Sequence, residues 1–313
     1  MVDTWNMAFQ VISVKWDGTL IRRVDDGTFE RTLDALQACG INELMLVGYT
    51  DAEEADFDMM QESARVGEML RSRGMKGAQH HGLAPTYAAD GKSQDAVIEK
   101  LIRSLQYTAN LNADILLIHP CRADAHYTTM DAYVQKREQI EAEIGRDGLL
   151  ETIAQNLNAA GEVAGKMGIE LAIENADEPF ESDMSRMEDI FEHITSPHVG
   201  FCLDAGHANY RCPPVTKWLD TFGDRLITTH FHDNRGFADE HMPPGFGTVP
   251  WIDVIHALKK VNYTNTITFE SSGWPGMGLE EGYRNAIGFW RTCEHLAMQR
   301  KPKPDAQSLH RLA

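Results

Sequence analysis

Short apolar runs alternate with longer segments of helical periodicity along almost the whole chain. Continuous apolar runs are typical of buried parallel strands, and the segments between them repeat apolar residues with the period of a helix. Predicted strands cover residues 8–14, 43–48, 75–80, 113–119, 169–174, 199–204, 226–232 and 265–271. Predicted helices cover residues 28–39, 57–73, 93–111, 148–167, 184–195, 213–222, 250–261 and 279–298. Gly40, Gly74 and Gly168 stand where three of these helices should end, because glycine accepts the left-handed conformation found there.

This succession of strand–helix pairs predicts a closed α/β barrel of the (β/α)8 TIM type. The barrel is expected to cover residues 1–300 as one domain, with residues 301–313 as a loosely held C-terminal tail. A doubly wound open sheet is the alternative, but it more often has a glycine-rich phosphate turn where this chain has KWDGTL. Two long loops should lie at the face where barrel active sites form: residues 120–147 after strand four, with a short helix near 133–143, and residues 233–250 after strand seven.

Composition and charge narrow the class of protein. Of the 313 residues 42% are hydrophobic, which is enough for a large core. No apolar run approaches the roughly 20 residues of a membrane helix, and the N-terminal segment lacks the features of an export signal. Five scattered cysteines without a CxxC pair favour a reducing, cytoplasmic setting. The formal net charge of −18 opposes binding to nucleic acid or membrane surfaces, so a small neutral substrate is expected.

Acidic and histidine residues occur where four successive predicted strands end. Glu174 ends IELAIE, Asp204 ends GFCLD, Glu270 ends TITFE, and TTHFH contains His230 and His232. Because side chains alternate along a strand, these residues share one face, which should be the barrel interior. The opposite face should contact the helices through apolar side chains: Leu171, Ile173, Phe201, Leu203, Ile227, Phe231, Ile267 and Phe269.

A single polar residue at a strand end usually only caps a loop. Three acids and one histidine that converge inside a barrel are different, because buried carboxylates are costly unless a cation balances them. The pattern therefore predicts one divalent metal ion at the top of the barrel. Three carboxylates and one imidazole favour Mn²⁺, with Co²⁺, Mg²⁺ and Zn²⁺ as alternatives.

The motifs LAIEN, LDAGH, HFHDN and TFE, in this order, resemble the xylose isomerase-like barrel superfamily. That superfamily includes sugar and sugar-phosphate isomerases and epimerases, inosose-processing enzymes and apurinic-site endonuclease IV. The resemblance extends from about strand four to the C-terminus, and it implies four metal ligands: Glu174, Asp204, His230 and Glu270. His230 is preferred over His232 because the family's ligand on strand seven has an acid three residues later, which is Asp233 here.

The same resemblance implies a metal-dependent isomerase or epimerase that acts on a sugar, keto-sugar or polyol through a metal-bound enediolate. In related epimerases the first and last glutamates move the proton, and these would be Glu174 and Glu270. Four further residues are expected to contact the substrate: His119, His207, His232 and Arg235. The motifs leave open which sugar is bound, whether it is phosphorylated, and whether the reaction is isomerisation, epimerisation or dehydration.

Other functions of the same superfamily stay open as alternatives. In endonuclease IV an Asp-x-His after strand seven and histidines after strands three, four and six bind further zinc ions. This chain has candidates for all of those places: His80 or His81, His119, His207, Asp239 and His241. Of these, His81, Asp239 and His241 are expected as second-metal or loop residues. The negative charge opposes such a phosphodiesterase. An inosose-type dehydratase, or a glycoside-processing subunit of a hetero-complex, is the other alternative, and otherwise the chain should form a homo-oligomer.

Overall fold

Eight parallel strands form one sheet that closes into a barrel. The computed structural model describes residues 4–16, 21–24, 27–49, 57–82, 86–87, 94–119, 135, 138–139, 141–176, 183–211, 214–271 and 276–299. The strands in chain order are β1 (Met7–Ile12), β2 (Val14–Trp16), β3 (Ile21–Arg23), β4 (Glu43–Val47), β5 (Lys76–His81), β6 (Ile115–Ile118), β7 (Glu170–Glu174), β8 (Val199–Asp204), β9 (Leu226–His230) and β10 (Ile267–Phe269). The sheet order is β10-β1-β4-β5-β6-β7-β8-β9. A parallel bridge between Phe231 and Phe269 joins the two edge strands, so the barrel is confirmed and the open sheet is excluded.

Helices follow the barrel strands and cover the outer face of the sheet. They are α1 (Thr28–Ala38), α2 (Met59–Ser72), α3 (Gln94–Asn110), α4 (Arg146–Met167), α5 (Met184–His193), α6 (Ala205–Arg211), α7 (Val215–Phe222), α8 (Trp251–Lys260) and α9 (Leu279–Gln299). Gly40, Gly74 and Gly168 follow α1, α2 and α4 with φ angles of 77°, 67° and 71°, which is the predicted left-handed conformation. Within the part of the chain that the structure describes, none of these helices combines the length and the apolar character needed to cross a bilayer.

Most of the hydrophobic core lies between the barrel and the helices, and a smaller cluster fills the barrel interior. The interior cluster consists of Leu117, Ala172 and Cys202, with Ile115 and Ile227 packed against it. The prediction that Ile227 faces the helices is therefore wrong. The strand register shifts between Phe201 and Cys202, which pair with Leu226 and Thr228, so that Ile227 falls outside the regular alternation. The other seven apolar residues of the predicted outer face belong to the main core.

Several boundaries differ from the predicted ones. The first predicted strand ends at Ile12, and Val14–Trp16 instead pairs with Ile21–Arg23 in an antiparallel hairpin that the sequence analysis missed. The strand predicted over 226–232 ends at His230, and the last strand is confined to Ile267–Phe269.

Some predictions concern residues about which little or nothing is described. The short helix expected near 133–143 lies mostly outside the described residues, although residues 141–144 are helical. The C-terminal tail, residues 301–313, lies outside them entirely, so the domain boundary stays a prediction.

Candidate metal centre

The strands β7, β8, β9 and β10 bring four candidate ligands together at the carboxyl end of the barrel. Glu174, Asp204 and His230 are the last residues of their strands, and Glu270 directly follows β10. One ligand atom from each side chain lies within 4.8 Å of the other three, and all four residues are buried. Donor atoms that surround one ion at 2.0–2.6 Å stand at most about 5 Å apart. The spacing of the four side chains is therefore compatible with a single ion.

His230 stands between the two glutamates. Its Nδ1 atom lies 3.0 Å from Glu174 Oε1 and 3.0 Å from Glu270 Oε2. Burial alone would lower the pKa of His230, but the two carboxylates raise it well above its ordinary value. Burial raises the pKa of Glu174 to about 7, although His230 opposes that shift. Burial would also raise the pKa of Glu270, but His230 outweighs it and holds this pKa well below its ordinary value.

Unpartnered polar atoms test whether these residues fit a metal ion. Among the described residues, the carboxylate oxygens Glu174 Oε2 and Asp204 Oδ2 are buried and have no hydrogen-bond partner. A buried polar atom left in this state costs about 1–3 kcal/mol. An ion bound among them would remove part of this cost, because carboxylate oxygen and imidazole nitrogen are ordinary metal ligands. The donor set therefore fits the predicted metal, and the assignment itself stays a proposal.

Two histidines from neighbouring strands approach the same glutamate. His81 ends β5, and its Nε2 lies 3.8 Å from Glu174 Oε2. His119 follows β6, and its Nε2 lies 3.7 Å from the same oxygen. His81 also forms a possible ligand group with Glu174 and His230. Both histidines predicted near the site are thus within reach of it.

His80 points to the opposite side of β5. Its Nδ1 forms a hydrogen bond with Thr108 Oγ1 of α3 at 2.9 Å, and the residue is completely buried. Burial, with His81 nearby, lowers the pKa of His80 to about 3. Of the two histidines that the sequence left as alternatives, it is therefore His81 that faces the barrel interior.

A second cluster joins two barrel histidines to the long loop, by which we mean residues 233–250. His207 of α6 and His232 just after β9 meet Asp239 and His241 of the long loop, with ligand atoms within 4.8 Å of one another. His241 Nε2 lies 2.9 Å from Asp239 Oδ2, and its ring stacks on that of His232 with centroids 4.0 Å apart. His207 Nε2 and His232 Nε2 lie 3.6 and 3.7 Å from Asp239 oxygens.

The two clusters share an electrostatic environment. His232 Nε2 lies 3.1 Å from Asp204 Oδ1, so Asp204 belongs to the four-residue group and also contacts the loop cluster. Burial would lower the pKa of His207, but nearby carboxylates, Asp204 foremost, raise it well above its ordinary value. Burial would lower the pKa of His241 as well, and Asp239 instead raises it to about 9. Burial would raise the pKa of Asp239, but the nearby His207 and His241 outweigh it and lower this pKa strongly.

Arg235 does not join either cluster. Its side chain is exposed, and its backbone amide and Nε donate to Glu240 oxygens at 2.9 and 3.0 Å. The guanidinium also lies 4.9 Å from the centre of the Phe237 ring. This arrangement does not direct Arg235 toward either cluster. The contact between Arg235 and a substrate therefore stays a prediction.

Asn175 is a residue of the site that the sequence analysis did not single out. Its side chain accepts a hydrogen bond from the Asp204 amide and donates one to the Asp204 carbonyl, both at 2.9 Å. Its own carbonyl oxygen lies 3.0 Å from His207 Nδ1. Asn175 therefore orients both an expected ligand and an expected substrate contact. Its position directly after Glu174 in the LAIEN motif was the signal that could have identified it.

Comparison with known proteins adds to this geometry. Residues 33–293 match the model of the xylose isomerase-like TIM barrel family. An uncharacterized protein of Sinorhizobium fredii is 38% identical over 82 residues. These residues are 26% of this chain and 26% of that relative, so the match spans only about a quarter of the relative's length. D-psicose 3-epimerase of Agrobacterium fabrum is 25% identical over 239 residues, which are 67% of this chain and 76% of that enzyme. Among solved structures, D-allulose 3-epimerase from Methylomonas sp. superposes with a TM-score of 0.67 at 15% identity, over 94% of this chain and 100% of that one, which shows a shared fold.

Proposed function

The chain belongs to the xylose isomerase-like TIM barrel family, and from this membership we propose that it is a divalent-metal-dependent isomerase or epimerase of sugars. Epimerisation of a free ketose is the reaction that we favour. The observation that carries the proposal is the buried group of three carboxylates and one imidazole at the carboxyl end of the barrel. The similarity to D-psicose 3-epimerase over 67% of the chain supports it.

The proposed metal ligands are Glu174, Asp204, His230 and Glu270, and the donor set favours Mn²⁺ over Co²⁺, Mg²⁺ and Zn²⁺. When bound, such an ion polarises a carbonyl group and acidifies the C–H bond beside it. The protein's own part is to hold the ion's ligands rigidly. Each ligand comes from a strand end in the closed sheet, where side-chain positions are determined by the barrel.

Proton transfer is assigned to Glu174 and Glu270. Both glutamates contact His230, because each has a carboxylate oxygen 3.0 Å from its Nδ1 atom. A carboxylate has two oxygens, so one can contact the ion while the other exchanges a proton with the substrate. Two such groups on different strands could remove a proton on one face of a carbon and return it on the other, which inverts the configuration. General acid–base catalysis of this kind contributes roughly 10²–10⁴-fold to a rate.

Metal reconstitution followed by a sugar assay tests this function. The purified chain would be stripped with a chelator, loaded with Mn²⁺ and incubated with D-psicose, D-tagatose or L-ribulose, and the C3 epimers would be separated by chromatography. We expect conversion of at least one ketose, loss of conversion after chelation and recovery with Mn²⁺. Absence of conversion for all three sugars by a Mn²⁺-loaded chain, beside an active D-psicose 3-epimerase as control, would contradict ketose 3-epimerisation. Inososes and 3-keto-glycosides would then test the dehydratase and glycoside-processing alternatives, and gel filtration would show whether the chain forms a homo-oligomer.

A second candidate function is an endonuclease IV-like phosphodiesterase. It is supported by two further ligand groups, one around His81 and one formed by His207, His232, Asp239 and His241. These groups are richer in imidazole than the first and would suit Zn²⁺. Elemental analysis that finds about three zinc ions per chain, together with cleavage of a duplex oligonucleotide at an abasic site, would favour this function. About one Mn²⁺-like ion per chain without cleavage would favour sugar chemistry.

A further inference from the structure

Asp233 is a completely buried carboxylate at the start of the long loop. Its Oδ1 accepts hydrogen bonds from the backbone amides of Asn234 and Val249, both at 3.0 Å. Its Oδ2 accepts from the backbone amide of Gly245 and from the indole Nε1 of Trp251, both at 2.9 Å. One side chain thus accepts four hydrogen bonds, and three of the donors lie at the far end of the loop or just beyond it.

The backbone of Asp233 holds the middle of the same loop. Its amide donates to the Met242 carbonyl at 2.7 Å, and the Met242 amide donates back to the Asp233 carbonyl at 2.9 Å. Gly247 passes so close that a Cβ there would lie 2.2 Å from the Asn234 carbonyl oxygen and 2.3 Å from Asp233 Oδ1. The loop is therefore folded around Asp233, and a side chain at position 247 would push it away.

The segment between the anchored positions carries the two loop residues of the second cluster. Asp239 and His241 lie between Asn234 and Met242, so their positions depend on where those two residues are held. His241 has a φ angle of 45°, which is unusual for a residue other than glycine, and its Nδ1 lies 3.0 Å from the Glu270 carbonyl oxygen. A strained backbone of this kind persists only where surrounding contacts maintain it.

Asp239 in turn lies close to both barrel histidines. Its oxygens lie 3.6 Å from His207 Nε2 and 3.7 Å from His232 Nε2. We propose that Asp233 is a positioning residue, whose carboxylate folds the long loop so that Asp239 and His241 are placed against His207 and His232. This inference deepens the proposed function and rests on it, because it assigns the long loop to the active site.

The two acceptor oxygens of Asp233 matter as much as its size. An asparagine has only one acceptor oxygen, so Asp233→Asn would turn an NH₂ group toward two of the four donors. The anchor would then lose two of its hydrogen bonds without any loss of volume. Trp251→Phe is a milder change, because it removes one donor and retains an aromatic ring against Phe231. Asp220→Asn is the control, since it makes the same carboxylate-to-amide change in an exposed pair with Lys260, outside the long loop.

The test measures local structure and activity in the Mn²⁺-loaded full chain. In Asp233→Asn we expect the amides of Gly245 and Val249 to exchange hydrogen at least about 10-fold faster than in the parent, because their acceptor is disturbed. The ring NMR signals of His207 and His232 should shift, and they are recorded with diamagnetic Mg²⁺ because paramagnetic Mn²⁺ would broaden them. Mn²⁺ affinity should stay within about threefold, because this change lies beyond the ligands. With a ketose substrate, kcat should fall about 10–100-fold with a smaller change in KM. Trp251→Phe should show the same effects more weakly, and Asp220→Asn should show none.

A double variant separates positioning from a general loss of stability. If Asp233 acts through Asp239, adding Asp233→Asn to Asp239→Asn should cost little further activity, because interactions in one chain of contacts are not additive. Unchanged amide exchange and unchanged histidine signals in Asp233→Asn would overturn the inference, and so would a uniform loss of protection across the chain together with Mn²⁺ binding. If Asp233→Asn does not fold, Trp251→Phe decides by the same readouts. If the parent converts no ketose, the proposed function fails, and the exchange and NMR measurements still decide whether Asp233 holds the loop.

Discussion

Replacing His230 or His232 with alanine should distinguish a metal ligand from a supporting residue. The two histidines lie two positions apart at the end of β9, and both are completely buried. Their surroundings differ, however. His230 Nδ1 is 3.0 Å from Glu174 Oε1 and from Glu270 Oε2, whereas His232 Nε2 is 3.1 Å from Asp204 Oδ1. These surroundings favour His230 as a ligand of the proposed ion and His232 as a support for the proposed ligand Asp204.

The size of the difference follows from the number of ligands. A structural Zn²⁺ site of four ligands binds its metal with roughly 10–16 kcal/mol, which averages about 2.5–4 kcal/mol per ligand, and we apply this range to one ligand of the proposed site. Loss of the His230 ring should therefore weaken binding by about 10²–10³-fold. Loss of a residue that only supports a ligand costs about 10–100-fold. For His232 we expect about 10-fold, because Asp204 Oδ1 also accepts a hydrogen bond from the His207 amide at 2.7 Å.

Calorimetric titration of chelator-treated protein with Mn²⁺ measures both values directly. His295→Ala, which removes an exposed histidine of α9, is the matched control and should bind Mn²⁺ like the parent. Added imidazole should restore part of the affinity of His230→Ala, because the truncation leaves a buried space beside the two glutamates. The assignment would be refuted if His230→Ala bound Mn²⁺ like the parent while His232→Ala did not. If both variants bound Mn²⁺ with the affinity of the parent, the assignment of the metal to this group would be wrong.

Three further predictions follow from the same structure. Glu174→Gln and Glu270→Gln should each lower turnover by at least about 10²-fold while circular dichroism stays unchanged, and activity within tenfold of the parent would contradict their role. Mn²⁺ affinity should fall as the pH drops through about 7, because protons then compete with the ion for its ligands. The pKa of buried Glu174 is about 7, and the pKa of His230 is raised. An affinity that does not change with pH would count against this site. Gly67→Ala should lower the melting temperature, because its Cβ would lie 1.8 Å from the Asn110 carbonyl oxygen, whereas Gly288→Ala, with no atom within 4 Å, should raise it.

The strand-end residues were predictable because the barrel itself determines their positions. Parallel strands bring their carboxyl ends to one face, and alternation along each strand separates interior from exterior side chains. Glu174, Asp204 and His230 could therefore be placed together from sequence letters alone. The same alternation fails where the strand register shifts, as it does at Ile227. A register shift depends on how two strands pair, and a single strand's sequence does not reveal it.

The hairpin of Val14–Trp16 and Ile21–Arg23 was missed for a different reason. An Asp-Gly pair, Asp17 and Gly18, lies between its two strands, and such a pair is a strong hairpin signal. In the sequence analysis this segment served only to show that a glycine-rich phosphate-binding turn is missing there. The apolar run from residue 8 then extended the first strand beyond its true end at Ile12.

His80 and His81 show what one long-range contact adds. Alternation requires that only one of them faces the barrel interior, but the sequence does not say which. Gln79 Oε1 accepts a hydrogen bond from Thr228 Oγ1 of β9, across the barrel, so Gln79 faces inward. His81 shares that face, and His80 turns toward Thr108 of α3.

The shape of the long loop could not be predicted from the sequence, because it depends on contacts between residues that are distant in sequence. The sequence identified Asp239 and His241 as possible ligands. Their position against His207 depends on Asp233, and no local sequence pattern connects Asp233 to them. Asp204 makes that position matter for the metal centre. It belongs to the four-residue group, and its Oδ1 lies 3.1 Å from His232 Nε2, whose ring stacks on His241. The long loop therefore reaches the four-residue group through His232 and one shared carboxylate, so an Asp233 variant should change turnover more than Mn²⁺ affinity, and both should be measured.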